Sequence, residues 1–185
     1  MSSFLEGLSI RERLLPANDA FIASSLNAVS LAYTELGQLV NAEETGNRAI
    51  QIRLETQSDR IGNSYSNMAS TLLRMGKHEE AEATLARCPS LKDFTDETFL
   101  KSGNPRFAGY VQPKPHKDFI ADRQSDMILL GRIRVEQQRM DEAIRLISKA
   151  LAFRQQAHGN HLKTCDTMQL LAQVLQLNAD YRSAM

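Results

Sequence analysis

The stretch Met68 to Leu85, MASTLLRMGKHEEAEATL, constrains the fold more than any other part of the chain. Its apolar residues Met68, Leu72, Leu73 and Met75 recur at helical spacing, and Ala81 and Leu85 do so again beyond a break at Gly76-Lys77. Glycine at 76 supplies the left-handed turn that ends a helix at low cost. Glu79, Glu80 and Glu82 then gather at the start of a second helix, where the helix dipole favours negative charge. The stretch reads as a helical hairpin.

The rest of the chain repeats it. Phe4 to Leu15 reads as a helix ended by Pro16, after which Asn18 or Asp19 caps a helix running to about Leu36 and closed by Gly37. A helix over Leu39 to Thr56 follows, then a cap at Ser58-Asp59 and a helix from Ile61 to Met75. Met140 to Ala157 and His161 to Leu177 repeat the pair near the C-terminus. Ala42, Ala81, Ala143 and Ala184 mark the period, at spacings of 39, 62 and 41 residues. Each stands three residues after Leu39, His78, Met140 or Tyr181, and twelve after Ser30, Ala69, Gly131 or Ala172. Those four are small, as closely packed helices require. The second helices end alike, in GNRAIQIR at 46–53, SKALAFR at 148–154 and a leading EGLSIR at 6–11. The expected fold is an all-α solenoid of about three to four hairpins, a single array over residues 1–185, in which each hairpin buries its face only against neighbours.

The longer spacing holds roughly 20 extra residues. Residues 89–118 carry Pro89, Pro105, Pro113 and Pro115 with Phe94, Phe99, Phe107 and Tyr110. The prolines exclude a long helix, and the aromatics are too many for a disordered linker. This is expected to be a non-helical insertion between the second and third full units, packed as a strap, with one helical turn over Asp96 to Lys101 and a more mobile stretch from Gln112 to Lys117. Pro89 also falls where the aligned second helices have Ile50 and Leu151, so that helix should stop early.

Charge excludes several function classes. The chain has 22 basic and 22 acidic residues, so no basic footprint for nucleic acid or an anionic membrane is expected. No apolar run is long enough to span a bilayer, and Glu6, Arg11 and Glu12 break up a would-be signal sequence. Cys88 and Cys165 are too few for a disulfide framework, so the expected compartment is the cytoplasm. Cys88 shares a repeat position with Ala49 and Ala150 and reads as a small buried thiol.

His158, His161 and Cys165, with Asp166 beside them, have the residue types of a zinc site. No second cysteine is near in sequence, the histidines fall in a turn around Gly159-Asn160, and Cys165 is expected to point into a helix core, so no metal is expected. Patterns for a nucleophile elbow, phosphate loop, dinucleotide turn or zinc protease are absent from the sequence. His116, Lys117 and Asp118 read as a solvated loop and helix cap. No enzyme activity and no cofactor are expected.

At the Gly, Ala and small-residue positions the chain resembles the tetratricopeptide repeat superfamily, with MASTLLRMGKHEEAEATL the nearest match. The period near forty residues and the Ile-Arg or Phe-Arg ending look more like the kinesin light chain variety, which also forms the C-terminal arrays of fungal nucleotide-sensing receptors. Arg134 in place of an apolar residue, Gln138 in place of Gly, and the lack of an Asp-His-Pro loop depart from that pattern. The resemblance implies a protein- or peptide-binding module, a sensing or scaffold part of a larger protein, whose first helices line a groove for an extended peptide. Asn27 and Asn67 resemble the paired asparagines of those repeats, and Asn63 lies one turn before Asn67 on the same face. An asparagine amide can both donate to and accept from a peptide backbone. Ile128, Leu129, Gln169 and Leu170 stand at these positions in the later units, so the asparagine row ends after the second. Both ends of the sequence cut through a repeat, with a new second helix expected to begin at Tyr181. A piece of a longer array is one reading of this, and self-association through the uncapped ends is the alternative.

Overall fold

The computed structural model describes residues 1–91, 117–159 and 161–183. The expectations for Phe94, Phe99, Phe107, Tyr110 and the turn over 96–101 lie outside these. All regular structure among the described residues is helical, arranged as repeated hairpins: an all-α helical repeat fold. The chain divides into two compact units, Met1–Pro89 and Ser90–Met185, each described by itself.

The first unit contains α1 (Ser2–Leu14), α2 (Ala20–Glu35), α3 (Leu39–Glu55), α4 (Ile61–Arg74) and α5 (His78–Leu85). Asp19 caps α2, its Oδ1 accepting the Phe21 amide at 2.7 Å, which satisfies one orphan donor of the first turn. The expected cap at Ser58-Asp59 falls slightly short: Arg60 holds the cap position, and the Ser58 carbonyl accepts from the Ile61 amide at 3.2 Å. α2 packs on α1, α3 and α4, and α5 packs on α4. Leu8, Ile22, Ala23, Leu26, Val29, Ala49 and Ile52 form one apolar cluster between α1, α2 and α3. Tyr65, Met68, Ala69, Leu72, Ala81 and Leu85 are buried between α4 and α5 or beside them. α5 stops at Leu85, short of its equivalents, and Cys88 is buried beyond it with its Sγ 3.5 Å from the Gly62 carbonyl oxygen.

The second unit contains α6 (Lys117–Glu136), α7 (Met140–His158) and α8 (Leu162–Ser183). Lys117 and Asp118 therefore lie in helix rather than loop. α7 packs between α6 and α8, and Ala143, Ile147 and Val174 centre its apolar cluster, with Leu170 and Leu171 against them. A Cβ at Gly131 would lie 2.7 Å from Ile147 Cγ1, so α6 and α7 approach closely there. Arg134 is buried where other units have an apolar residue. Its Nε sits 3.3 Å from Glu142 Oε2 and its Nη1 donates to Gln137 Oε1 at 2.7 Å, so the charge is met by α7 and the turn.

Three hairpins use one turn. Gly37, Gly76 and Gln138 all have positive φ (74°, 76° and 60°), and the next amide reaches back to Tyr33, Leu72 or Arg134 at 2.8–2.9 Å. Gln138 thus does in a strained conformation what glycine does freely. The left-handed region costs a residue with a Cβ about 1–2 kcal/mol, against roughly 0.5–1 kcal/mol for the extra entropy that glycine loses. Gln138→Gly is therefore expected to stabilise the chain by about 0.5–1 kcal/mol, read as a higher urea midpoint at unchanged slope.

The C-terminal end departs from expectation. A turn before Tyr181 is absent, and α8 runs on without a break from Leu162 to Ser183. Ala179 occupies the repeat position of Gly37, Gly76 and Gln138. Alanine is the best helix former and has no reason to turn left-handed, so the helix continues through it.

Candidate functional site

On α4, Asn63, Asn67, Ser70 and Arg74 follow at four, seven and eleven residues and share the side opposite buried Tyr65, Met68 and Leu72. Asn63 and Arg74 are exposed, and Asn67 and Ser70 half-buried. Beside them on α2, Ser24, Ala28, Leu31 and Glu35 form the outward side. The two helices are joined at three levels. Ser64 Oγ donates to Asn27 Oδ1 at 3.1 Å, the Thr34 and Thr71 hydroxyls meet at 2.8 Å, and Arg74 Nη1 pairs with Glu35 Oε1 at 3.4 Å. The first two are sheltered. The third is open to solvent and contributes little, so either charge can be given up to a ligand.

This surface brings Asn63 and Asn67 together on one face, with Asn27 at its border toward α4. Asn27 is half-buried, and its oxygen is occupied by Ser64, so it is more constrained than an asparagine on a wet helix face. Its amide nitrogen keeps two donors for another partner. The Asn67 backbone carbonyl is taken by the Thr71 hydroxyl at 3.1 Å. The α4 row is polar, suited to hydrogen-bonding an extended backbone, and Leu31 on α2 adds an exposed apolar residue beside it. In the second unit Leu129 is buried, Ile128 and Leu170 half-buried and Gln169 exposed, so the polar row has no counterpart there.

Sequence reasoning noticed the Ile-Arg and Phe-Arg endings but missed what they do. Arg53 Nη1 donates to the Arg60 carbonyl at 2.7 Å and to Ser64 Oγ at 2.8 Å. Arg154 Nη1 donates to the Lys163 carbonyl at 2.9 Å and to Thr167 Oγ1 at 2.6 Å. Arg11 Nη1 donates to the Phe21 carbonyl at 3.1 Å and to Ser25 Oγ at 2.5 Å. In each case one nitrogen clips the end of a second helix to a carbonyl at the cap or in the first turn of the next helix, and to a hydroxyl four residues on. Asp126 holds the hydroxyl's repeat position in α6, and its carboxylate accepts from Ser90 instead. Burial holds the Arg53 guanidinium below its ordinary pKa, with Arg60 adding repulsion and Asp59 opposing both. Burial does the same to Arg154, opposed by Asp166. The missed signal was an arginine followed by Ser or Thr 14, 11 and 13 residues later.

The zinc-like residues resolve differently. His161 Nδ1 accepts the Lys163 amide at 3.2 Å and so serves the start of α8. The His158 side chain lies outside the described residues. Cys165 is exposed, which corrects the expectation that it points into a helix core: it stands at the register of buried Ala23, but no described helix covers that side of α8. Among the described residues no three His, Cys, Asp or Glu side chains group closely enough to hold a metal. No helix among them is long and apolar enough to cross a membrane.

The sequence profile of the tetratricopeptide repeat family matches residues 21–88 and 124–185, which hold α2 to α5 and most of α6 to α8. A search among curated proteins finds no match.

Proposed function

The chain belongs to the tetratricopeptide repeat family, and from that premise we propose that its α2–α4 surface binds an extended protein segment. Domains of this family generally mediate protein–protein interaction and are generally non-catalytic scaffolds. The observation that carries the reading is the face shared by exposed Asn63 and Arg74 and half-buried Asn67, bordered by an Asn27 that Ser64 holds in place. The likeness to kinesin light chain repeats supports a peptide ligand, and the likeness to fungal receptor arrays supports a sensing or scaffold role in a larger cytoplasmic protein. A partner of either kind is protein rather than nucleic acid or membrane, because the chain carries no net charge.

Peptides selected on the intact chain from a random display library provide the probe. Asn63→Ala with Asn67→Ala is expected to weaken a selected peptide by roughly 0.5–1.5 kcal/mol per lost hydrogen bond while leaving thermal stability unchanged. Asn27→Ala is expected to cost about 1 kcal/mol of stability as well, because it strands Ser64. Selected peptides that bind the double variant as tightly as the wild type would remove the groove assignment.

A second reading, association of copies through the ends of the repeats, is favoured by the apolar residues exposed on α1 and α8.

A further inference from the structure

We propose that Arg53 is a positioning residue of the α2–α4 surface: through Ser64 it holds the Asn27 amide with its oxygen inward and its nitrogen outward. A bound segment must then offer an acceptor at Asn27, which in an extended chain is a backbone carbonyl. The inference rests on the binding role proposed above and adds which atom the surface demands. Three side chains form one run of hydrogen bonds. Arg53 Nη1 donates to Ser64 Oγ at 2.8 Å, and Ser64 Oγ donates to Asn27 Oδ1 at 3.1 Å. The direction of the run is set at its buried end. A guanidinium can only donate, so Ser64 receives from Arg53 and has a single proton to give. Arg53 is 5% and Ser64 2% exposed, so little water screens the positive charge. Turning the Asn27 amide over would aim its NH2 group, the positive end of the amide dipole, inward where the oxygen now lies.

The second unit supplies the comparison. Arg154 Nη1 donates to Thr167 Oγ1 at 2.6 Å, as Arg53 does to Ser64, but Ile128 holds the register of Asn27 and has no acceptor to offer. The Thr167 hydroxyl turns back to the Lys163 carbonyl of its own helix at 2.8 Å. The clip alone therefore does not send the hydroxyl across to another helix, and the Ser64 bond to α2 is particular to Asn27. The other two asparagines are not held in this way. Among the described residues, the side-chain amides of Asn63 and Asn67 have no hydrogen-bond partner, so each can turn either its donor or its acceptor to a ligand. Asn27 can do so only by breaking its bond to Ser64. It meets a ligand as a donor already in place, with no rotamer freedom left to lose on binding.

Fluorescence anisotropy of a peptide selected on the intact chain from a random display library tests this, at a temperature below the melting transition of every variant. Asn27→Asp keeps the acceptor for Ser64 and turns an oxygen outward, so binding is expected to weaken about tenfold with no loss of melting temperature. Arg53→Met keeps the packed stem and removes the donor, and Ser64→Ala removes the link. Both side chains are buried, yet each change is expected to weaken the peptide roughly threefold. In an Asn27→Ala background Ser64→Ala is expected to leave affinity unchanged, since no amide remains to be oriented. Equal losses in the two backgrounds would overturn the proposal, because a Ser64 that only supports the fold acts the same in both. Asn27→Asp binding as tightly as the wild type would also overturn it. If Asn63→Ala with Asn67→Ala weakens the peptide in that case, the surface still binds and only the role of Arg53 falls. If that double variant is neutral and Asn27→Asp weakens binding, the row on α4 falls and the role of Arg53 stands. The NMR signal of the Asn27 side-chain amide, identified by its absence from Asn27→Asp, reads the same run without a peptide. It is expected to shift in Arg53→Met and in Ser64→Ala, and a signal that stays in place in Arg53→Met would overturn the proposal.

Discussion

Leu72→Ala is expected to destabilise the first unit by roughly 2–5 kcal/mol, the range for truncating a buried leucine in a core that cannot collapse around the gap. Leu72 is 4% exposed on the inner side of α4, together with Met68 and Ala69. Each hairpin of a repeat fold is supported only by its neighbours, so there is little surrounding mass to close the cavity. The reverse change tests the same packing from the other direction. Ala69 is wholly buried, and Ala69→Leu is expected to overpack the site at a cost of about 1–3 kcal/mol. Urea denaturation followed by far-ultraviolet circular dichroism reads both. A Leu72→Ala midpoint equal to that of the wild type would mean that α4 does not face a neighbouring helix as described.

Removing the three arginine clips is expected to cost stability in the order Arg53, Arg154, Arg11. Arg53 is buried, and its one nitrogen serves both the Arg60 carbonyl and the Ser64 hydroxyl. A hydrogen bond to a charged group is worth about 1.5–3 kcal/mol when its loss strands a sheltered partner. Arg53→Ala should therefore cost about 3 kcal/mol, part of it from the packed stem of the side chain. Arg154 is half-buried and should cost less; Arg11 is exposed, and water can replace its bonds at little cost. Ser64→Ala should reproduce part of the Arg53 effect and should not add fully to it, because the two residues share one network. Denaturation midpoints of the single and double variants check both statements. Equal losses at all three arginines would show that burial does not set the strength of the clip.

Much of the fold was legible because its signals are short-ranged. The turn at Gly76 and the cap at Asp19 depend on residues within about five positions, and both stand where the spacing places them. The early end of α5 was legible from Pro89 for the same reason. Gln138 looked like a departure from the pattern, yet it adopts the left-handed turn, with its own amide bonded to the Val135 carbonyl and the Arg139 amide to the Arg134 carbonyl. At the C-terminal end the same comparison failed: the period alone places a new second helix at Tyr181, whereas Ala179 favours the helix that α8 continues.

The sequence alone determined the helices of the first unit and the period at which hairpins recur, because amphipathic spacing, caps and breakers are properties of one stretch of chain; it did not give α6 from Lys117 or the run of α8 past Leu177. It also placed Asn63 and Asn67 on one face, since helical spacing suffices for that. What each outward side chain meets was decided only by the tertiary structure. Asn27 is tied to a serine in the next hairpin, Arg53 reaches across the α3–α4 turn to the Arg60 carbonyl and Ser64, and Cys165 lies bare at a register that is buried in α2. Burial and hydrogen bonding belong to pairs of surfaces, so one surface's residues cannot specify them until the neighbour, or its absence, is known.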